Sequence, residues 1–190
     1  MKRLITALLL SCLVASTQAE TRDTPIQSFE PFIGEWRVQP NDPMMEKIPE
    51  EMQGLASFTF GWGPAERSIK MWEMHPPEEA TAAVMEGMGA WNPVTNSIVF
   101  LGFNKDSDYL FSGEFRFEGE QSLVREYQVY YPGDDEWSSQ VGVKSMRFRD
   151  ILTLTGKNKM QQQVEYYSVS ARQWLSFIPV ERIGLIRVGK

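Results

Sequence analysis

Apolar and polar residues alternate along most of the chain after residue 56, a pattern typical of strands with one buried face. In residues 110–118, for example, Phe111, Phe115 and Phe117 fall on one face, while Glu114 and Arg116 fall on the other. Similar alternation covers residues 57–62, 69–74, 83–91, 98–103, 122–131, 146–155 and 160–168. No long amphipathic helical pattern competes with these runs. The sequence therefore predicts an all-β protein.

Short groups of turn-forming residues separate the predicted strands, such as Gly63-Pro64, Asn92-Pro93 and Gly156-Lys157-Asn158. Because the gaps are short, successive strands are expected to be antiparallel neighbours. Strands with one apolar face must either stack as a sandwich or close as a barrel. Closure removes the exposed edges of a flat sheet. We predict an antiparallel up-and-down barrel of about eight to ten strands.

The N-terminus has the pattern of a secretory signal peptide. Two basic residues precede an apolar run over residues 4–14, and Thr17-Gln18-Ala19 supplies small residues for cleavage. An alternative is a lipoprotein acylated at Cys12, but the apolar run continues past that residue. We predict a signal peptide over residues 1–19, a flexible segment over residues 20–30, and a barrel domain over residues 31–190. The predicted location is periplasmic or secreted.

Charge and cysteine content narrow the classes of partner. Removal of residues 1–19 leaves 17 basic and 25 acidic residues, a net charge of −8, and also removes Cys12, the only cysteine. The mature chain would then have no disulfide and no thiolate ligand. An acidic chain without a long basic run is a poor nucleic-acid binder. No later segment has the length and apolarity of a transmembrane helix. We therefore expect that the mature chain binds no nucleic acid and contains no transmembrane segment.

The segment Phe32-Ile33-Gly34-Glu35-Trp36 resembles the Gly-x-Trp opening of lipocalin-like (calycin) barrels. In that superfamily the tryptophan plugs the closed end of the barrel, and a basic residue near the end of the last strand packs over its ring. The resemblance implies structural roles for Gly34 and Trp36. It also implies that Arg187 stacks on the indole, with Arg182 as the second candidate.

The chain is also similar to the DUF1579-type family of secreted bacterial lipocalin-like domains. The matching segments are residues 32–36, Trp62-Gly63-Pro64, residues 90–95 and Arg187-Val188, and their order and spacing carry the resemblance. It implies a fold and no established activity. The chain departs from the family pattern over residues 174–181, which leaves the bounds of the last strand open.

Several polar residues fall on otherwise apolar strand faces: Arg125, Asp150, Glu86 and Gln162. Buried charges need partners, so one interpretation is internal pairing, for instance of Arg125 with Asp150. A second is that inner and outer faces are exchanged in some strand. A third is ligand binding, because Arg125-x-Tyr127 resembles the Arg-x-Tyr pair that holds a carboxylate in fatty-acid-binding barrels. The candidate ligand-binding residues are Arg125, Tyr127, Asp150 and Glu86.

His75 is the only histidine, which excludes a His-rich zinc site. Glu73 precedes it by two residues, so both side chains would point the same way on a strand and could form a general acid–base pair. The plainer interpretation is an exposed histidine at the barrel rim. Some small barrels bind haem through a histidine late in the chain, but no histidine follows His75 here. We therefore expect no metal and no cofactor.

Three functions remain open at this stage. The first is a non-enzymatic binding protein that holds a small hydrophobic molecule, such as a fatty acid, inside the barrel. The second is an envelope protein-interaction module with a filled core. The third is a hydrolase or isomerase that uses Glu73 and His75. Of the three, the non-enzymatic binding protein is preferred, and whether the protein is an enzyme stays open.

Overall fold

The protein is described from a computed structural model, which describes residues 25–39, 42, 45–47, 57–74, 83–104, 109–130, 145–177 and 181–188. Three short 3-10 helices occur there, over Pro25–Phe32, Met45–Lys47 and Pro64–Glu66. The described strands are β1 Gly34–Val38, β2 Phe58–Trp62, β3 Ser68–Met74, β4 Ala83–Asn92, β5 Ser97–Asn104, β6 Leu110–Phe117, β7 Ser122–Tyr130, β8 Ser145–Gly156, β9 Lys159–Ser168, β10 Gln173–Ser176 and β11 Ile183–Arg187.

The strands form a closed antiparallel barrel, which confirms the predicted fold class. Strands β1 to β9 pair in chain order except that β11 lies between β9 and β1. Strand β9 pairs with β8 on one side and with β11 on the other, and this pairing closes the ring at ten strands. Among the described strands, every one except the four-residue β10 is paired on both sides.

The tenth position of the barrel is occupied by two strand segments. Strand β10 pairs with Glu165–Ser168 and β11 with Lys159–Gln162, both on the same edge of β9. The backbone amide of Phe177 donates to the carbonyl of Val164 at 2.9 Å, so the pairing continues one residue past β10. The described pairing along this edge thus ends at Phe177 and begins again at Ile183. The gap between these two residues overlaps residues 174–181, where the sequence departs from the pattern of the family that it resembles.

The two ends of the barrel differ in their connections. At one end, which we call the closed end, strands are joined through residues 63–67, 93–96, 118–121 and 157–158. At the other, the open end, the connections are residues 39–57, 75–82, 105–109 and 131–144, together with the short turn 169–172. Binding residues of barrel scaffolds are commonly placed on long connections, so this end is where a binding site is expected.

The 3-10 helix Pro25–Phe32 fills the closed end. Phe29 is fully buried, and its ring centroid lies 5.0 Å from that of Phe60 on β2 and 5.3 Å from that of Phe115 on β6. Ile26 and Phe32 are buried with it. The prediction of a flexible segment over residues 20–30 is therefore wrong for residues 25–30, because their apolar side chains complete the barrel core. Residues 20–24 lie outside the described residues.

Trp36 seals the same end. Its side chain is fully buried, and its indole N–H donates to the carbonyl of Phe32 at 2.8 Å. The Arg187 guanidinium lies 4.6 Å from the centre of the Trp36 ring and donates to the carbonyl of Pro31. Gly34 has φ +137°, and a Cβ there would lie 3.3 Å from Cδ of Arg187. The stacking implied by the resemblance is thus present with Arg187, while Arg182 lies exposed outside the last strand.

Candidate functional site

Inward-facing side chains pack to different degrees in the two halves of the barrel. In the closed half most are buried, although some, such as Phe117 and Leu154, are only partly buried. The fully buried members are Phe29, Phe32, Trp36, Ile69, Ile98, Phe115 and Leu123. In the open half a second apolar cluster surrounds Val129 and Phe148, and its other members are only partly buried. We call this second set the open-end cluster: Tyr109, Phe111, Tyr127, Val129, Met146, Phe148, Tyr166 and Phe177.

Arg125 and Asp150 form an ion pair inside the barrel between these two halves. They are direct cross-strand partners on β7 and β8. The Nε of Arg125 donates to Oδ2 of Asp150 at 2.7 Å, and a terminal guanidinium nitrogen donates to the same oxygen. Their side chains are 6% and 1% exposed. The internal pairing raised as one interpretation of the sequence is therefore present.

The environment of Asp150 opposes its ionisation. Burial raises the pKa of the Asp150 carboxyl above its ordinary value, and the charge and hydrogen bonds of Arg125 oppose that rise. Within the described part of the chain, Oδ1 of Asp150 and Oε1 of the buried Gln162 have no hydrogen-bond partner. We call the buried residues Arg125, Asp150 and Gln162 the polar layer. Among the described residues it contains one balanced pair of charges and two acceptor oxygens without a partner.

Tyr127 separates the ion pair from the open end. The Arg125 guanidinium lies 4.8 Å from the centre of the Tyr127 ring. That ring stacks on Phe148 with centroids 5.6 Å apart and an interplanar angle of 20°. A cation over an aromatic face is attracted by the ring quadrupole. The aromatic pair Tyr127–Phe148 therefore forms the floor of the open half, directly above the ion pair.

Glu86 does not belong to this interior group, and its assignment as an inward ligand-binding residue is wrong. On β4 the inward positions are those of Met85, which is 3% exposed, and Gly87. Met88, two positions after Glu86, is 51% exposed. Glu86 therefore lies on the outer face of the sheet, because side chains alternate between faces along a strand.

The proposed acid–base pair cannot be placed. Glu73 belongs to β3, but its side chain and His75 lie outside the described residues. In the described part of the chain there is no group of three or more His, Cys, Asp or Glu residues with metal-binding geometry. The described helices include none with the length and apolarity needed to cross a membrane.

A cleft lies outside the closed end. It is a half-open cleft of about 620 Å³ between the N-terminal 3-10 helix and the turns at residues 93–96 and 118–121. Trp91 and Phe117 supply its apolar wall and Arg116 its charge. Arg116 forms ion pairs with Glu114 and Glu126 at 3.4 and 3.1 Å. The cleft is a competing location for a ligand and needs its own control in any binding test.

An ion pair on the outer wall matches the interior one. Arg149 on β8 donates to the Glu165 carboxylate on β9, with Nε at 2.7 Å, and these residues are also direct cross-strand partners. The Arg149 guanidinium stacks on Trp174 at 4.6 Å. The Arg149 and Glu165 side chains are 27% and 12% exposed. This pair provides a matched control for Arg125 and Asp150, outside the barrel.

Sequence reasoning brought together Arg125, Tyr127 and Asp150 but missed most of the open-end cluster. Phe111, Val129 and Met146 sit on strand faces that the alternation identifies, so pairing β6, β7 and β8 in antiparallel register would have found them. Phe177 directly follows the short strand β10, outside the alternating runs, and has no comparable signal. The chain matches no protein-family model and no curated protein. The resemblance to DUF1579-type domains stays a prediction.

Proposed function

We propose that the protein is a non-enzymatic binding protein that holds a small hydrophobic molecule in the open half of its barrel. The observation that carries this proposal is the open-end cluster, an inward-facing, mainly aromatic wall in which only Val129 and Phe148 are buried and the other side chains are partly exposed. Small-molecule sites are concave and largely apolar, with few polar groups. The predicted signal peptide adds a periplasmic or secreted location to the proposal.

The division of the barrel supports this function over a uniformly filled core. The closed half stabilises the fold without any ligand, because Phe29 and Trp36 already fill it. The open half presents Phe111, Met146 and Tyr166 on its inner wall. Covering such surface with an apolar ligand contributes about 25 cal/mol per Å² of apolar area removed from water.

The first test uses N-phenyl-1-naphthylamine, an uncharged apolar fluorophore. We expect saturable binding with a single class of site, and we expect Phe111→Ala to weaken it about tenfold, since losing one ring contact removes about 1–2 kcal/mol. The matched control is Phe103→Ala. Phe103 lies on the neighbouring strand β5 but faces outward and is 50% exposed, so its loss should leave the fluorophore affinity unchanged.

Two results would contradict the proposal. One is the lack of saturable fluorophore binding by the wild-type protein, together with native mass spectra of the protein purified from its host that show no bound small molecule. The other is a loss of binding in Trp91→Ala with none in Phe111→Ala, since Trp91 lines the cleft at the closed end. That pattern would move the ligand out of the barrel.

A further inference from the structure

We propose that Asp150 makes the barrel selective for apolar ligands with an uncharged head group and excludes carboxylates, because it neutralises Arg125 at the floor of the open half. The inference rests on the proposed function and specifies the ligand class of that site. It replaces the fatty-acid interpretation of the Arg125-x-Tyr127 pattern. Asp150 acts here through Arg125, as a positioning and specificity-determining residue.

The first support is that Arg125 is already occupied by a carboxylate. Two of its guanidinium nitrogens donate to Oδ2 of Asp150, and direct cross-strand pairing holds the two side chains together without a ligand. Arg-carboxylate pairs of this kind are strong, charge-assisted contacts. A ligand carboxylate would have to displace Asp150 and leave that side chain, which is 1% exposed, without its cation.

The second support is the net charge of the polar layer. Among the described residues the layer contains one guanidinium and one carboxylate, which leaves no excess positive charge there to balance an incoming anion. Oδ1 of Asp150 and Oε1 of Gln162 are buried acceptors that have no partner in the described part of the chain. Additional acceptor oxygens repel a carboxylate, and an unbalanced charge is costly in a low-dielectric interior.

The third support is the aromatic floor. Tyr127 lies over the guanidinium and stacks on Phe148. A ligand in the open half therefore meets ring faces first, which suit an apolar body. The negative charge of the mature chain also disfavours the approach of anions.

The test compares 1-decanol with decanoate as competitors of N-phenyl-1-naphthylamine at pH 8. The two compounds share a chain length and differ in head-group charge. For the wild-type protein we expect decanol to bind about tenfold or more tightly than decanoate. In Asp150→Asn, which keeps the side-chain shape and removes the negative charge, decanoate affinity should rise about tenfold. Glu165→Gln makes the same change in the outer-wall pair and should leave the decanol-to-decanoate ratio unchanged.

The outcomes separate the two proposals. If neither compound displaces the fluorophore and the fluorophore itself does not bind, the proposed function fails. If both compete and the wild-type protein shows equal affinities or prefers decanoate, the selectivity inference fails. It also fails if Asp150→Asn binds decanol without any gain for decanoate. Should Asp150→Asn fold poorly by circular dichroism, Arg125→Met combined with Asp150→Leu replaces it. That variant should still prefer decanol, and equal affinity for decanoate would overturn the inference.

Discussion

Replacing Trp36 with alanine is expected to lower the free energy of unfolding by about 3–5 kcal/mol. The side chain is fully buried, so its removal leaves a cavity at the closed end as well as losing the transfer free energy of the indole. The carbonyl of Phe32 loses the indole donor, and the Arg187 guanidinium loses the ring beneath it. Urea unfolding followed by far-ultraviolet circular dichroism measures the change without relying on tryptophan fluorescence.

Trp174→Ala is the matched control for that prediction. Trp174 lies on β10 on the outer wall, where it is partly exposed and contacts Arg149. Its replacement should cost about 1 kcal/mol, because an exposed cation–π contact contributes little. Equal losses for Trp36→Ala and Trp174→Ala would mean that the indole near the start of the barrel does not seal the closed end.

Strand faces were predicted correctly where large apolar side chains occupy most inward positions. On β7 and β8 the inward positions carry Leu123, Val129, Phe148 and Leu152 on either side of Arg125 and Asp150, and these apolar residues identify the inner face. On β4 the inward positions include Gly87 and Gly89, which carry no hydrophobic signal. The apolar but exposed Met88 then gives the appearance of an inner face. The inner and outer faces of β4 were therefore exchanged in the prediction, which placed Glu86 inside. A shift of one residue moves every side chain of a strand to the opposite face.

The N-terminal 3-10 helix was missed because its signal has a different period. Ile26, Phe29 and Phe32 recur at every third residue, which aligns them on one side of a helix with three residues per turn. The residues between them, Gln27, Ser28, Glu30 and Pro31, fit neither the alternation of a strand nor the pattern of an α-helix. The position of this helix inside the barrel depends on contacts with β2 and β6, which are far away in sequence.

The sequence predicted the polar residues of the candidate site and one way in which they could pair. An arginine and an aspartate on inward faces of neighbouring strands must be paired, and the register places Arg125 directly opposite Asp150. The sequence could not show whether a ligand would meet a free guanidinium or a neutral ion pair. That depends on whether Arg125 is bonded to Asp150 in the folded protein. The stacking of Tyr127 on Phe148 and the position of Phe177 over Phe148 are likewise tertiary contacts. The alternation alone gives no account of them.

Removal of one member of the interior ion pair should destabilise the barrel far more than removal of both. We expect Arg125→Met to lower the free energy of unfolding by about 3–5 kcal/mol at pH 7, because it leaves the Asp150 carboxylate buried without a cation. Arg125→Met combined with Asp150→Leu should be close to wild type or more stable, since apolar side chains fill the same space without a desolvation cost. Arg149→Met, in the outer-wall pair, should cost about 1 kcal/mol or less.

The pH dependence of Arg125→Met distinguishes a buried unpaired carboxylate from a simple packing defect. Burial raises the pKa of Asp150 in the folded state above its ordinary value of 3.8. In Arg125→Met, the guanidinium whose charge and hydrogen bond oppose that rise is absent. Below pH 3.8 the carboxyl is protonated in both states, so the ionisation penalty is absent. As the pH rises through the folded-state pKa, the unfolded chain releases its proton more readily and the folded form loses stability. Urea melts should therefore show a smaller loss relative to the double variant at pH 4 than at pH 7. A loss that stays constant between those pH values would show that Asp150 is not the buried, unpaired charge.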